Sequence, residues 1–250
     1  MAVVVLLLLG LLFTGGIYAV FQSNSTANAQ TASSENLGHG KKLFIANCAT
    51  CHGKSGQGTA SGPSLVGVGA AAVDFQVGTG RMPLAMQGPQ GAQRDPMFTD
   101  KQVKQLAAYV ASFGPGPAIP TKEELNTNEG DAAAGGALFR TNCAMCHNVV
   151  GAGGALTQGK YAPNLSDVSS AHIYEAMETG PQNMPVFNDA NLTPKDKQNI
   201  VTYLKAVTSN PSPGGFKLGS IGPISEGLFA WVFGLGFIIA TTVWLAARHK

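Results

Sequence analysis

Hydrophobic positions in this chain fall into two patterns, and each predicts a different kind of helix. Two stretches are apolar on every face. Residues 2–21, AVVVLLLLGLLFTGGIYAVF, carry no charge. A helix over them covers about 30 Å, the hydrocarbon thickness of a bilayer. This run predicts a transmembrane helix or a signal segment over residues 1–21, and Ala27-Asn28-Ala29 resembles a small-residue cleavage site. Residues 227–247 are likewise uncharged and lie between Glu226 and Arg248-His249-Lys250, with Trp231 and Trp244 towards the two ends. Interfacial aromatics take those places in a transmembrane helix. The terminal Arg and Lys then put the C-terminus in the cytoplasm and everything before the helix on the outer face.

Elsewhere the apolar positions recur at helical spacing. Val103, Leu106, Ala107 and Val110 predict a helix over Lys101–Ser112, and Ile200, Tyr203, Leu204 and Val207 predict one over Pro194–Thr208. Thr99-Asp100 and Thr193 suit N-caps, and Pro194 suits a first helical turn. Residues 37–47 and 129–142 also read as helices. The glycine- and proline-rich chain between them reads as loop, so the class is all-α.

These elements form a duplication. Gly40-Lys-Lys-Leu-Phe44 matches Gly135-Gly-Ala-Leu-Phe139, Asn47-Cys48 matches Asn142-Cys143, and Gly62-Pro63-Ser64-Leu65 matches Ala162-Pro163-Asn164-Leu165. Thr79-Gly80 with Met82-Pro83 matches Thr179-Gly180 with Met184-Pro185, and Tyr109 matches Tyr203. The offset is 95 at the cysteines, 100 at the prolines, 102 at the methionines and 94 at the tyrosines. Length differences confined to loops fit two copies of one fold. The domains are placed at 37–115 and 129–210, with Phe44/Tyr109 and Phe139/Tyr203 joining first and last helices. A polar tether covers 22–36, a Pro/Gly-rich linker 116–128 and a connector 211–226.

All four cysteines lie in Cys48-Ala-Thr-Cys51-His52 and Cys143-Ala-Met-Cys146-His147. Cys-x-x-Cys-His is the attachment signature of c-type haem: the thiols add to the porphyrin vinyl groups and the histidine binds the iron. A thioether on the opposite face gives the His/Met iron of an electron carrier. Two disulfides would leave both trailing histidines unexplained. Zinc sites would use differently spaced histidines, and a thioredoxin-like pair needs a βαβ pattern that is absent. Met82 competes with Met86 and Met97 as the first thioether; the repeat favours Met82, the match of Met184. Met145, His39 and His172 read as packing, surface or capping residues. A domain near 80 residues has a small core, which covalent haem would enlarge.

The chain carries sixteen basic and fourteen acidic side chains. Residues 37–115 hold seven basic against three acidic, and residues 129–210 five against seven. A basic domain suits an acidic partner. No basic run interleaved with aromatics points to nucleic acid.

With these motifs the sequence resembles the dihaem cytochrome c (cytochrome cc) subunits of actinobacterial cytochrome bc complexes. The resemblance also rests on the segments Gly62-Pro63-Ser64-Leu65-Val66-Gly67-Val68-Gly69, Phe75-Gln76-Val77-Gly78-Thr79-Gly80-Arg81-Met82-Pro83, Gly159-Lys160-Tyr161-Ala162-Pro163 and Thr179-Gly180-Pro181-Gln182-Asn183-Met184-Pro185. It implies two tandem class I-like cytochrome c domains and two covalently bound c-type haems. Cys48, Cys51, His52 and Met82 would hold one haem, and Cys143, Cys146, His147 and Met184 the other. Pro63 and Pro163 would accept the imidazole N–H through their carbonyls. It also implies a place in the cell membrane beside cytochrome b and Rieske iron–sulfur subunits and an aa3-type cytochrome c oxidase, in a proton-translocating quinol:cytochrome c oxidoreductase, with no substrate chemistry in this subunit. A dihaem peroxidase would need one iron with an open distal position, which two Met-Pro pairs oppose. A membrane cytochrome serving another dehydrogenase or reductase is the remaining alternative.

Overall fold

The computed structural model describes residues 4–5, 8–15, 34–86, 88–148, 150–209 and 223–248. Two compact units divide the chain: Met1–Pro83 with Gln93–Ile119, and Leu84–Ala92 with Pro120–Lys250.

The first unit is built from α1 (Ser34–Asn47), α2 (Ala49–His52), α3 (Gly69–Gly78) and α4 (Asp100–Ala111). Helix α4 is the hub and packs against both α1 and α3. Its predicted stripe is the core: Val103, Leu106, Ala107 and Val110 are buried with Phe44, Val73 and Val77. Thr99 caps the helix, with Gln102 completing a capping box, which satisfies two of the orphan N–H groups of the first turn. The predicted aromatic contact is present, with Phe44 and Tyr109 edge to face at 5.5 Å. Gly40 sits where α1 crosses α4, and a Cβ there would collide with the Gln105 carbonyl. Helix α1 starts at Ser34, inside the tether read over 22–36; residues 22–33 lie outside the described residues.

The second unit repeats the plan with α5 (Ala132–Asn142), α6 (Ala144–His147), α7 (Ser170–Thr179) and α8 (Pro194–Ser209). Helix α8 packs on α5 and α7. Phe139, Ile173, Tyr174, Met177, Leu192, Ile200, Val201 and Leu204 form its core. Gly135 is the counterpart of Gly40: a Cβ there would strike the Asn199 carbonyl. Asp131 caps α5 by accepting from Ala133 and Ala134, so the helix begins after residues 129–131. At α8, Thr193 and Asp196 cap reciprocally, and Pro194 opens the helix as expected.

Three features depart from the sequence reading. Among the described residues the fold is helical apart from one short antiparallel pair, β1 (Gly154–Ala155) and β2 (Tyr161–Ala162), with Gly154 opposite Ala162. Two-residue strands leave no alternating pattern to read. Residues 116–128 are packed chain and divide within the segment. Ala71 donates to the Pro117 carbonyl at 3.1 Å in the first unit, while Gln198 on α8 donates to the carbonyls of Glu123 and Asn126 at 2.8 and 3.0 Å in the second. Finally, Leu84–Ala92 folds within the second unit. There Gln90 pairs twice with the backbone of Tyr161, at 3.0 and 2.9 Å, and Gly91 donates to Gln182.

At the C-terminal end, α9 (Pro223–Phe229), a π-helical stretch (Ala230–Leu235) and α10 (Gly236–Arg248) form one helical run. Ser225–Arg248 spans 24 residues with mean hydropathy 2.0 and none of it is buried. Among the described residues it is the one helix long and apolar enough to cross a membrane. Arg248 lies 4.4 Å over the Trp244 ring, a cation–aromatic pair suited to an interface. Of the first apolar run, residues 8–15 are helical with exposed side chains. Most of the remainder, like residues 211–222 of the connector, lies outside the described residues.

Candidate functional site

Both Cys-x-x-Cys-His motifs sit in the same local structure. Cys48 donates its backbone N–H to Phe44, so α1 feeds directly into the one-turn helix α2. Cys51 and His52 then donate to the Cys48 carbonyl at 3.2 and 2.9 Å. Cys143, Cys146 and His147 repeat these bonds from Phe139, at 2.8, 3.1 and 2.9 Å. Residues three and four apart share a helix face, so each turn presents two thiols and an imidazole together. All four thiols are free rather than joined as disulfides. Burial, reinforced by the neighbouring Cys51 or Cys146, pushes the Cys48 and Cys143 thiols up to about 11.

The loop after each motif folds back onto it. Gly58 donates to the His52 carbonyl at 2.7 Å and Leu65 to Gly56 at 2.7 Å; Gly153 with His147 and Leu165 with Gly151 do the same at 2.9 and 2.7 Å. This return brings a proline carbonyl to each ring. His52 Nδ1 donates to Pro63 at 2.8 Å, and His147 Nδ1 to Pro163 at 3.1 Å. A carbonyl can only accept, so Nδ1 carries the proton and the Nε2 lone pair is left for a metal. Burial lowers the His147 pKa, against the opposing pull of the Pro163 bond, and so favours the neutral, metal-binding ring. The five extra residues of the second copy are accommodated here. The bridge Thr59–Gly62 of the first copy is opened out into the β1–β2 pair of the second.

Met82 and Met184 are half-buried and pack against the two cores. Met86, Met97 and Met145 are 78%, 64% and 95% exposed, so Met82 is the first-copy methionine seated against the protein. Each Met-Pro loop is fastened. Met82 donates to the Gln76 carbonyl at 2.9 Å, and Met184 to Pro181 at 3.1 Å. His39 is exposed and 3.8 Å from Glu35. His172 lies in the first turn of α7 and donates its backbone N–H to Ser169, the N-cap.

One group near the second loop is not evident from the sequence. Lys197 counts there only as one of the five basic residues of 129–210, yet its side chain is fully buried. Its Nζ donates to Glu178 and, at 2.8 Å, to Asp189, and stands 5.7 Å over the Tyr174 ring. Tyr174 in turn donates to Glu124 at 3.2 Å. Burial and the surrounding carboxylates raise its phenol far above the ordinary range. The duplication carries a signal for Lys197: the tyrosine offset of 94 aligns it with Val103, a core position.

The donor set fits a c-type haem in both copies. Two unpaired thiols and an imidazole share one helical turn, and the imidazole's far nitrogen is held by a carbonyl, as metal-bound histidines are. Comparison with known proteins agrees. Residues 38–114 match the family described as cytochrome c, and residues 130–204 match cytochrome c oxidase, cbb3-type, subunit III. The chain is 43% identical to the cytochrome bc1 complex cytochrome c subunit of Corynebacterium efficiens, over 92% of this chain and 83% of that protein. Proteins of the same description from Mycobacterium tuberculosis H37Rv and Mycobacterium leprae are each 43% identical, over 98% and 97% of this chain and 90% and 86% of theirs.

Proposed function

The chain belongs to the family of cytochrome bc1 complex cytochrome c subunits, and from that membership we propose that it is a membrane-anchored relay passing single electrons from a Rieske iron–sulfur centre to the copper site of an aa3-type oxidase. The observation that carries this reading is the twinned site, with His52 held by Pro63 and His147 by Pro163. Cytochrome b and the Rieske subunit are its partners on the donor side. It catalyses no substrate conversion and serves as the electron-transfer subunit of a quinol-oxidising enzyme.

A covalently bound haem supplies a one-electron iron couple in each domain, 37–115 and 129–210. Cys48 and Cys51, and Cys143 and Cys146, would hold the two haems through thioethers. His52 with Met82, and His147 with Met184, would bind the two irons. An imidazole–thioether pair favours the reduced state and raises the potential. The proline carbonyls fix each ring, so a change of oxidation state meets little rearrangement. Domain two leads through 211–226 into the helix that anchors the chain and receives the electron. Domain one has the surplus of basic side chains and delivers it to the oxidase. Tethering replaces diffusion with a high effective concentration. The haem domains lie on the outer face, with the C-terminus in the cytoplasm.

Purification in mild detergent tests the assembly. Cytochrome b, Rieske and oxidase subunits should co-purify, and quinol should reduce the chain with the oxidase reoxidising it. Recovery with a different dehydrogenase alone would replace this reading with that of a free-standing membrane cytochrome.

A further inference from the structure

We propose that Lys197 is a positioning residue for Met184, closing the methionine loop of domain two at a single buried ammonium. The proposal rests on the reading of Met184 as an iron ligand. Glu178 lies in the last turn of α7, six residues before Met184, and Asp189 follows Met184 by five. Both carboxylates meet Lys197 Nζ, so the chain from 178 to 189 is a loop pinned at both ends to one point on α8. Pinning the ends removes loop conformations in which Met184 would swing away from its seat. Phe187 adds a third fastening by donating to the Met177 carbonyl at 2.8 Å.

Packing alone does not call for a lysine here. The matching residue in domain one is Val103, buried likewise on the equivalent helix α4. A buried ammonium is costly unless its donors are paired, and Lys197 has two carboxylates and an aromatic face for its three donors. Domain one fastens its own methionine loop differently: Arg94 donates to the Pro83 carbonyl at 2.6 Å, one residue after Met82. Both copies therefore bring a cation from the downstream chain to the methionine loop, by unrelated contacts. Two independent solutions to one task indicate that the loop's position matters.

The test uses the full-length holoprotein and imidazole as a competitor for the thioether site. Loss of the far-red thioether-to-ferric-iron band is followed as imidazole is added. Met184→Ala assigns domain two's share of that band. Lys197→Val copies domain one, and Asp189→Ala cuts the loop's half of the clamp at a side chain that is 66% exposed, where folding is spared. Both variants should raise the imidazole affinity of the domain-two phase by roughly tenfold, leaving the domain-one phase where it was. If Asp189→Ala titrates like wild type, Lys197 only packs α7 against α8 and the inference fails. If Met184→Ala leaves the band at full strength, the ligand reading beneath the inference is what fails.

Discussion

Arg94 reaches the carbonyl of Pro83 with its guanidinium at 2.6 Å, and Pro83 is the residue bonded to Met82. Arg94 also donates its own backbone N–H to Thr79 at 3.4 Å, so it bridges the chain on both sides of the methionine. The side chain is exposed, which limits the bond to about 1 kcal/mol. Arg94→Ala should accordingly loosen Met82 modestly. The far-red thioether band of domain one should vanish at a several-fold lower imidazole concentration, with domain two unchanged. An identical titration would mean that the remaining backbone bonds hold the loop alone.

Much of this organisation was readable in the sequence because it is written in local chemistry. The haem motifs need fixed spacing within one helical turn, and α4 and α8 need apolar stripes and caps, so residues such as Thr99 and Leu106 identify themselves. Partners distant in sequence left no such trace. Lys197, Gln198 and Asn199 read as a polar stretch of α8 but are buried. Gln198 is covered by chain around 123–126 that composition marks as linker. Asn199 accepts from the backbone of Asp131 at 2.8 Å. Backbone carbonyls carry no residue code, so periodicity could not reveal them. The duplication held the better signal, since Lys197 aligns with a core valine.

Gly40 and Gly135 mark the crossings of the first and last helices, and the two copies make the same demand there. A Cβ at Gly40 has the Gln105 backbone in its way, and at Gly135 the Asn199 backbone. Backbone cannot swing aside as a side chain can, so Gly40→Ala should destabilise domain one by about 1–3 kcal/mol, in the range for overpacking. Gly38 lies on the same helix with nothing near its Cβ position. Gly38→Ala should instead be neutral, or stabilising by up to about 1 kcal/mol through helix propensity. Guanidinium titration of the full chain, followed by haem circular dichroism, separates the two. Equal midpoints would show that α1 and α4 can move apart without cost.

The count of haems depends on the two cysteine pairs acting independently. Replacing Cys48 and Cys51 by alanine should give protein with half the wild-type pyridine haemochrome absorbance per polypeptide after acid-acetone washing. The Cys143/Cys146 double variant should give the same half. Wild type should carry two haems that survive the wash, because thioether bonds do. A ratio of one in wild type would remove one domain from the relay.

Docking to the oxidase should depend on the exposed lysines of α4. Lys101 and Lys104 are both exposed and add to the basic surplus of residues 37–115. Arg94 belongs to the same surplus, but its bond to Pro83 ties it to the methionine loop, so reversing it would disturb ligand and docking together. The Lys101→Glu/Lys104→Glu variant avoids that confusion. If complementary charge guides the encounter, it should slow oxidase-driven oxidation roughly tenfold at low salt. The gap should close as the Debye length falls from about 30 Å at 0.01 M to about 8 Å at physiological ionic strength. Arg140→Glu, an exposed reversal on domain two, should change the rate far less. Equal slowing by both reversals would show that net charge, rather than a face of domain one, governs the encounter, and an unchanged rate at low salt would remove the docking role of α4 altogether.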